Sequence, residues 1–265
     1  MNPTTHAKPG AVTGSLHIEV IRRQLDNEIV GHHMYVFGTL ASTATALRRC
    51  ADAGAREGTV VLAEEQQQGC GRLGQPWYSP PGVNLYASVL FRPDLSSNAV
   101  PAFSHIAGLA LTDALWVEGA PAALREPNDV LIDGRKVGCT LVEWSPIEGR
   151  IEYVVLGVCA NVNVTRDELR AGLGQAADTA TSLCEEVGRE IDRNAFAAAV
   201  LGFLEKWLGA YTARGPAAVI AAWRSRLVTG ALGRARGPGG KGCAAQSGTS
   251  PSSRATGGWS PRPTC

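Results

Sequence analysis

The sequence predicts an α+β fold: a mixed or antiparallel sheet with helices packed on one face. Three observations predict it. Short apolar runs such as GTVVLA (58–63) and NLYASVLF (84–91) have strand length and composition. Asp133-Gly134 is a two-residue hairpin signal, so the strands do not follow a strict βαβ alternation. Phe196, Val200, Phe203, Leu204, Trp207, Leu208 and Tyr211 form the broad apolar stripe of a long helix. No internal repeat interrupts this order.

Each element has its own warrant. Residues 1–14 are polar and predict a disordered leader. Residues 15–25 carry Leu16, Ile18, Ile21 and Leu25, a short amphipathic helix. Residues 33–40 alternate as a strand. Ser42-Thr43 is an N-cap pair opening a helix over 44–54. A buried strand over 58–63 leads into a Gln- and Gly-rich loop over 64–77. Residues 84–91 suit a pleated surface. Residues 100–116 predict a helix, with Pro101 confined to its first turn. A strand over 123–126, the turn Pro127-Asn128-Asp129 and a strand over 130–132 follow. After Asp133-Gly134 come strands over 135–144 and 151–158, joined by a polar turn containing Pro and Gly. Asp192 caps the long helix, and 217–227 is helical too.

Composition bounds the function. The 265 residues hold 25 Lys and Arg against 24 Asp and Glu, a formal charge of +1. The charge is unevenly placed: residues 230–265 carry five basic side chains and no acidic one, leaving a body with 20 basic and 24 acidic. Such a body lacks the basic excess of a generic nucleic-acid binder. No continuous run of about 18 apolar residues spans a membrane, and no apolar segment behind a basic start marks a secretory signal. The cysteines, seven in all and without a CxxC pair, predict free thiols in a reducing cytoplasm. The tail has nine Gly, four Pro and only Leu232 and Trp259 as large apolar residues, a composition that predicts disorder.

Three segments could carry chemistry. The run from Gln66 to Trp77 (QQQGCGRLGQPW) spaces Gly69, Gly71 and Gly74 as a backbone nest for an anion does, with Arg72 as a planar donor fork and Trp77 as a stacking surface. By spacing alone it reads more readily as a plain surface loop, since it matches neither the Walker nor the dinucleotide pattern. In Glu126-Pro127-Asn128-Asp129 followed by Arg135-Lys136-Val137-Gly138, the residues read either as a plain turn or as a site. In the second reading Lys136 and Gly138 share a strand face, and the glycine leaves room for a ligand beside the ammonium. Asn161-Val162-Asn163 ends an apolar strand, as a turn or as the rim of a site.

Taken in order, these segments resemble the biotin protein ligase family (biotin–[acetyl-CoA-carboxylase] ligases). The resemblance runs over about 35–226 and rests on Ser42-Thr43, AEEQQQGCGRLGQPW (63–77), SPPGVNLYASV (79–89), PNDV with RKVG (127–130 and 135–138), TATSL (179–183) and Asn161-Val162-Asn163. It implies a class II aminoacyl-tRNA synthetase-like catalytic domain over 31–228, a leader and short helix over 1–30, and a tail over 229–265 where relatives carry a small β domain. It implies that biotin and ATP, with Mg2+ carried on the nucleotide, form biotinyl-AMP, and that biotin then passes to a lysine of a biotin carboxyl carrier protein. Ser42, Thr43, Gln66, Cys70, Gly71, Arg72 and Lys136 would contact biotin. Gly69, Gly71, Arg72, Trp77, Asn128, Lys136 and Asn161 would contact ATP or the adenylate, with Lys136 and Arg72 catalytic. A lipoate- or octanoate-type ligase and a catalytically impaired biotin-binding relative are the alternatives. A monomer or homodimer with no DNA or membrane partner is expected, since about forty residues before the first strand are too few for a helix-turn-helix domain.

The sequence also departs from the family pattern. Cys70 stands at an arginine position of the loop, Gln75 at another, and Glu126 at a tryptophan. Ala44 follows the Ser-Thr pair where a polar residue is usual. Cys139 and Cys159 each stand at a glycine position. Losing one charge-assisted contact costs about 1.5–3 kcal/mol, so these changes predict a lowered rate. The unpatterned Gly/Ala/Arg/Pro tail predicts a shifted reading frame in a GC-rich gene. An alternating apolar continuation after about Val228 in another frame of the coding DNA would support it.

Overall fold

The computed structural model describes residues 14–228. The expected leader over 1–13, the tail over 229–265, and Cys243 and Cys265 lie outside the described residues. One sheet of seven strands organises the described residues, in the order β1-β2-β3-β7-β6-β5-β4. The strands are β1 (Met34–Leu40), β2 (Val60–Gln66), β3 (Leu85–Phe91), β4 (Ala122–Arg125), β5 (Asp129–Ile132), β6 (Arg135–Ile147) and β7 (Arg150–Ala160). Only β1 and β2 pair in parallel; every other neighbouring pair is antiparallel. The helices are α1 (Ile18–Arg22), α2 (Thr43–Asp52), α3 (Val100–Val117), α4 (Arg166–Leu173), α5 (Leu183–Val187), α6 (Arg193–Arg214) and α7 (Pro216–Ser225).

Local chemistry explains most boundaries. Ser42 caps α2 by accepting from Thr45 N. Pro101 sits in the first turn of α3, where its missing N–H costs nothing. Asp192 accepts from Asn194 N and Ala195 N at the start of α6. Asp133 (φ 46°) and Gly134 (φ 77°) make the tight β5–β6 turn. Glu148 (φ 48°) and Gly149 (φ 77°) turn β6 into β7 in the same way.

Several elements differ from expectation. The first helix shrinks to five residues, Ile18–Arg22. Strand β2 continues to Gln66, three residues into the expected loop, because it follows β1 as far as Leu40. Pro146 is not in the β6–β7 turn but within β6, at a break in register where a missing N–H is tolerated. Helices α4 and α5 were not expected; Thr165 and Glu168 form a reciprocal capping box at α4.

The helical layer expected on one face is there. Its core joins α3 and α6 to alternate strand residues: Val60 and Leu62 of β2, Val89 and Phe91 of β3, Val154 and Leu156 of β7. Helix α3 has the length and composition of a membrane helix. In this fold it packs on β4 to β7 and is covered by α6 and α7. One-sided packing fails at α2. Its Ala44, Leu47 and Ala51 pack on Val61, Leu90, Tyr153 and Val155, which point the opposite way. The centre of the sheet is therefore buried from both sides, and all seven residues of β3 are buried.

A bulge near the start of β6 decides which way its side chains face. The register of β5 against β6 shifts between Val130 and Leu131: Val130 opposes Gly138, yet Leu131 opposes Lys136. Val137 is the extra residue.

Candidate functional site

The face that carries α2 also carries two cavities. The first, of about 20 Å3, abuts the N-terminus of α2 and is lined by Ser42, Thr43, Gln66 and Cys70, with Ser88, Cys139 and Cys159. Its polar groups are tied to one another. Thr43 N and Oγ1 donate to Gln66 Oε1 at 2.9 and 3.2 Å, and Thr43 Oγ1 meets Ser88 Oγ at 2.9 Å. Gln66 Nε2 donates to Ser79 Oγ at 3.5 Å and to Cys159 Sγ at 3.8 Å. Cys139 and Cys159 oppose each other directly across β6 and β7. Their mutual hydrogen bond, with burial, pushes the Cys159 thiol well above its ordinary range, so it stays neutral at physiological pH. Burial and the Glu143 carboxylate raise Cys70 as well.

The second cavity, of about 160 Å3, is lined by Trp77, Tyr78, Lys136, Asn161, Leu173 and Ala180 among others. Lys136 Nζ lies 2.6 Å from Asp129 Oδ1 and 5.2 Å from the centre of the Trp77 ring. Asp129 also holds Arg125 at 2.7 Å, so one carboxylate orders two cations. Trp77 Nε1 is buried with no hydrogen-bond partner, an orphan donor at the wall of a cavity that also holds a cation. Asn161 donates from Nδ2 to Thr181 O at 2.9 Å, and Thr181 N donates to Lys136 O at 2.9 Å. The TATSL segment is thereby laced to the start of β6. Aromatic face, ammonium and unpaired indole N–H together fit a nucleotide.

Three segments contribute to both cavities, which places them side by side. The loop gives Cys70 to the first and Trp77 to the second. Strand β6 gives Cys139 and Lys136, and the end of β7 gives Cys159 and Asn161.

The remaining expected residues are placed otherwise. Arg72 is exposed in a 3-10 turn, Arg72–Gly74, and lines neither cavity. Its neighbour Leu73 is 86% exposed at φ 60°. The loop closes on itself through Trp77 N to Gly69 O (2.8 Å) and Gly71 N to Gln75 O (2.7 Å). Gly69 is needed there, since a Cβ would lie 2.5 Å from Ser79 Oγ and 2.9 Å from Trp77 O; at Gly71 nothing comes nearer than 3.8 Å. Asn128 lines neither cavity. Its Nδ2 donates to Thr140 O at 2.7 Å and its carbonyl accepts from Thr140 N at 3.0 Å, which clips the turn to β6.

Gly138 corrects the sequence reading outright. It does not share a face with Lys136. A Cβ at Gly138 would meet Leu111 of α3 and Cys159 O, each at 2.8 Å, so the glycine admits the helical layer and not a ligand. The bulge is the reason: Val137 and Gly138 both turn toward α3, leaving Lys136 on the face shared with Cys139. Asp129 and Ser88 are the site residues that the sequence reading passed over. Each had a signal: Asp129 ends the turn Pro127-Asn128-Asp129, and Ser88 is a lone polar residue in an apolar strand. A larger cavity of about 450 Å3 lies elsewhere, beside Arg193. That arginine is committed to Glu64 at 2.7 Å.

Comparison with known proteins agrees with this geometry. Residues 36–161 match the model of the biotin/lipoate A/B protein ligase family. The bifunctional ligase/repressor BirA of Bacillus spizizenii is 32% identical over 219 residues, 82% of this chain and 65% of that protein. This chain thus spans less than two thirds of that relative. The biotin–[acetyl-CoA-carboxylase] ligase of Mycobacterium tuberculosis is 32% identical over 77% of this chain and 74% of its own length. The biotin protein ligase of Aquifex aeolicus, solved with biotin and ATP, superposes with a TM-score of 0.63 at 26% identity, covering 74% of this chain and 78% of the other. With the ordered motifs, the sheet and both cavities in place, the chain belongs to the biotin protein ligase family, within the biotin/lipoate A/B protein ligases.

Proposed function

We propose that this chain activates biotin with ATP and passes it to a lysine of a biotin carboxyl carrier protein. The observation that carries the reading is the seat of Lys136: its ammonium is fixed by Asp129 and Trp77 in one cavity, beside a second cavity floored by Ser88, Thr43 and Gln66. In this reading the acid head group enters the polar cavity and the nucleotide takes the larger one. Carboxylate attack at the α-phosphorus brings two anions together, and Lys136, in the wall of the larger cavity, would offset that repulsion. In this reading magnesium arrives on the ATP phosphates.

The mixed anhydride formed must be kept from water. In this reading the loop over 69–77 performs that task. Its exposed Arg72 would reach the phosphates when the loop moves over the site, as closing loops do in other enzymes. Residues 31–228 form the catalytic domain in this reading, working in the cytoplasm, in keeping with the free thiols of Cys50, Cys70, Cys139, Cys159 and Cys184.

Pyrophosphate release on incubation with ATP, magnesium and either biotin, lipoate or octanoate tests the proposal, followed by label transfer to carrier protein. Release with biotin is expected. Release with lipoate or octanoate alone would move the chain to the other branch of its family. Lys136→Ala and Arg72→Ala are each expected to abolish adenylation; unchanged turnover removes that residue from the reaction.

A further inference from the structure

The cavity that would receive the acid head group is small for an identifiable reason. Its 20 Å3 is about the space that one water requires, and a fused bicyclic ring is many times larger. Backbone is not what fills it. At Gly157, on the facing wall, even an added Cβ would come no closer than 3.7 Å to Leu141 and Ser88 Oγ. Among the side chains that line it, those of Cys139 and Cys159 project from directly opposed positions on β6 and β7. Both strands are interior to the sheet, with β3 on one side and β5 on the other. The thiols therefore cannot be moved aside by an edge opening.

Cys159 acts a second time, through hydrogen bonding. Gln66 Nε2 is engaged by Cys159 Sγ and Ser79 Oγ, while Gln66 Oε1 is held by Thr43. A ligand carbonyl that needs the Gln66 amide must first displace a thiol. Cys159 is a neutral thiol and a weak nucleophile, so its effect is one of volume and hydrogen bonding, not covalent chemistry.

We infer that Cys139 and Cys159 are specificity-determining residues that narrow the head-group cavity and thereby set the affinity for the acid substrate. The inference rests on the proposed function. It concerns binding of the acid, whereas Lys136 concerns the chemical step. Relief of overpacking in the double variant Cys139→Gly/Cys159→Gly is expected to lower KM and Kd for biotin by roughly tenfold or more, with kcat little changed. Cys159→Ser, which keeps nearly the same volume and still engages the Gln66 amide, is expected to give none of this gain in affinity. Octanoate, a narrow chain, is expected to gain nothing from the glycine variants.

The experiment combines calorimetric titration of biotin without ATP, pyrophosphate release against biotin concentration, and thermal melts. Glycine in a strand interior is destabilising, so Cys139→Ala and Cys159→Ala are measured alongside, with a smaller gain expected. Unchanged Kd and KM in every variant that melts like wild type overturns the inference. Tighter biotin binding without pyrophosphate release upholds it while overturning the proposed reaction. No binding of biotin by wild type or any folded variant overturns both.

Discussion

Lys136 owes its orientation to a one-residue irregularity and to a carboxylate. Without the bulge at Val137 its side chain would share a face with Gly138 and point into the layer of α3. Asp129 then draws the ammonium to within 2.6 Å. The glycine beside it has a quite different duty. Gly138→Ala would press a methyl group against Leu111 and the carbonyl of Cys159 at 2.8 Å. The backbone carbonyl cannot rotate away, so a loss of about 1–3 kcal/mol is expected. A lower denaturation midpoint in urea, with an unchanged slope, checks this; wild-type stability would mean that the contact relaxes freely.

Among the elements, α4 and the 3-10 turn Gly174–Thr179 form one wall of the Lys136 cavity through Leu173, Ala176 and Thr179. Helix α4 holds the end of the glycine loop as well: a Cβ at Gly172 would fall 2.3 Å from the Tyr78 ring, so helix and ring touch directly. At eight residues it is too short to persist without its cap. Thr165→Ala removes the capping box and is expected to cost about 1 kcal/mol locally. ATP affinity should fall while biotin affinity holds, and titration of each ligand checks the difference. The same element shows what sequence could and could not tell. Thr165-x-x-Glu168 is a local signature and was there to be found. Asp133-Gly134, Pro101 and Asp192 are equally local, and each marked its boundary correctly. The far side taken by α2, the extension of β2 and the bulge in β6 were not legible, because each depends on a neighbouring strand that is distant in sequence. Site residues followed the same division. Ser42, Thr43, Gln66, Cys70, Trp77, Lys136 and Asn161 were singled out from local motifs and line two adjoining cavities, whereas the fixed uses of Asn128 and Gly138 required the fold.

Across the whole molecule, joints tie the helical layer to both limits of the described residues. Asp113 of α3 accepts from Trp207 Nε1 of α6 and pairs with Arg226 beyond α7, both at 2.7 Å. At the other end the buried Arg193–Glu64 pair, with Arg193 also donating to Gly14 O, ties the start of α6 to the first described residue. Between α3 and α7 lies a titratable joint. The His105 ring is 4.4 Å from that of Trp223, and its Nδ1 is buried without a partner. Burial lowers its pKa below the ordinary 6.5; the Glu126 carboxylate opposes this and Arg224 adds to it. As pH falls through 6.5, the unfolded chain takes up a proton that the folded protein resists. Stability should therefore decline on acidification and level off below the folded value. Melting temperatures from about pH 7.5 to about 5.5 are expected to fall less in His105→Phe than in wild type; parallel curves would assign the pH dependence to other groups.

The bulge at Val137 has a further consequence, for how such a chain can change length. A strand is a two-phase lattice, and an inserted or deleted residue swaps inside for outside along everything beyond it. The bulge is a half-period dislocation already built in, and it brings Lys136 and Cys139, three positions apart, onto one face. Deleting Val137 would restore regular pairing, with Leu131 opposite Lys136 and Val130 opposite Gly138, and would leave Lys136 and Cys139 two positions apart, still on one face. Flattening the bulge at unchanged length would instead turn Lys136 into the α3 layer. Length and bulge are thus linked in this interval: a chain one residue shorter keeps the arrangement without the bulge, and a chain of this length keeps it only with the bulge.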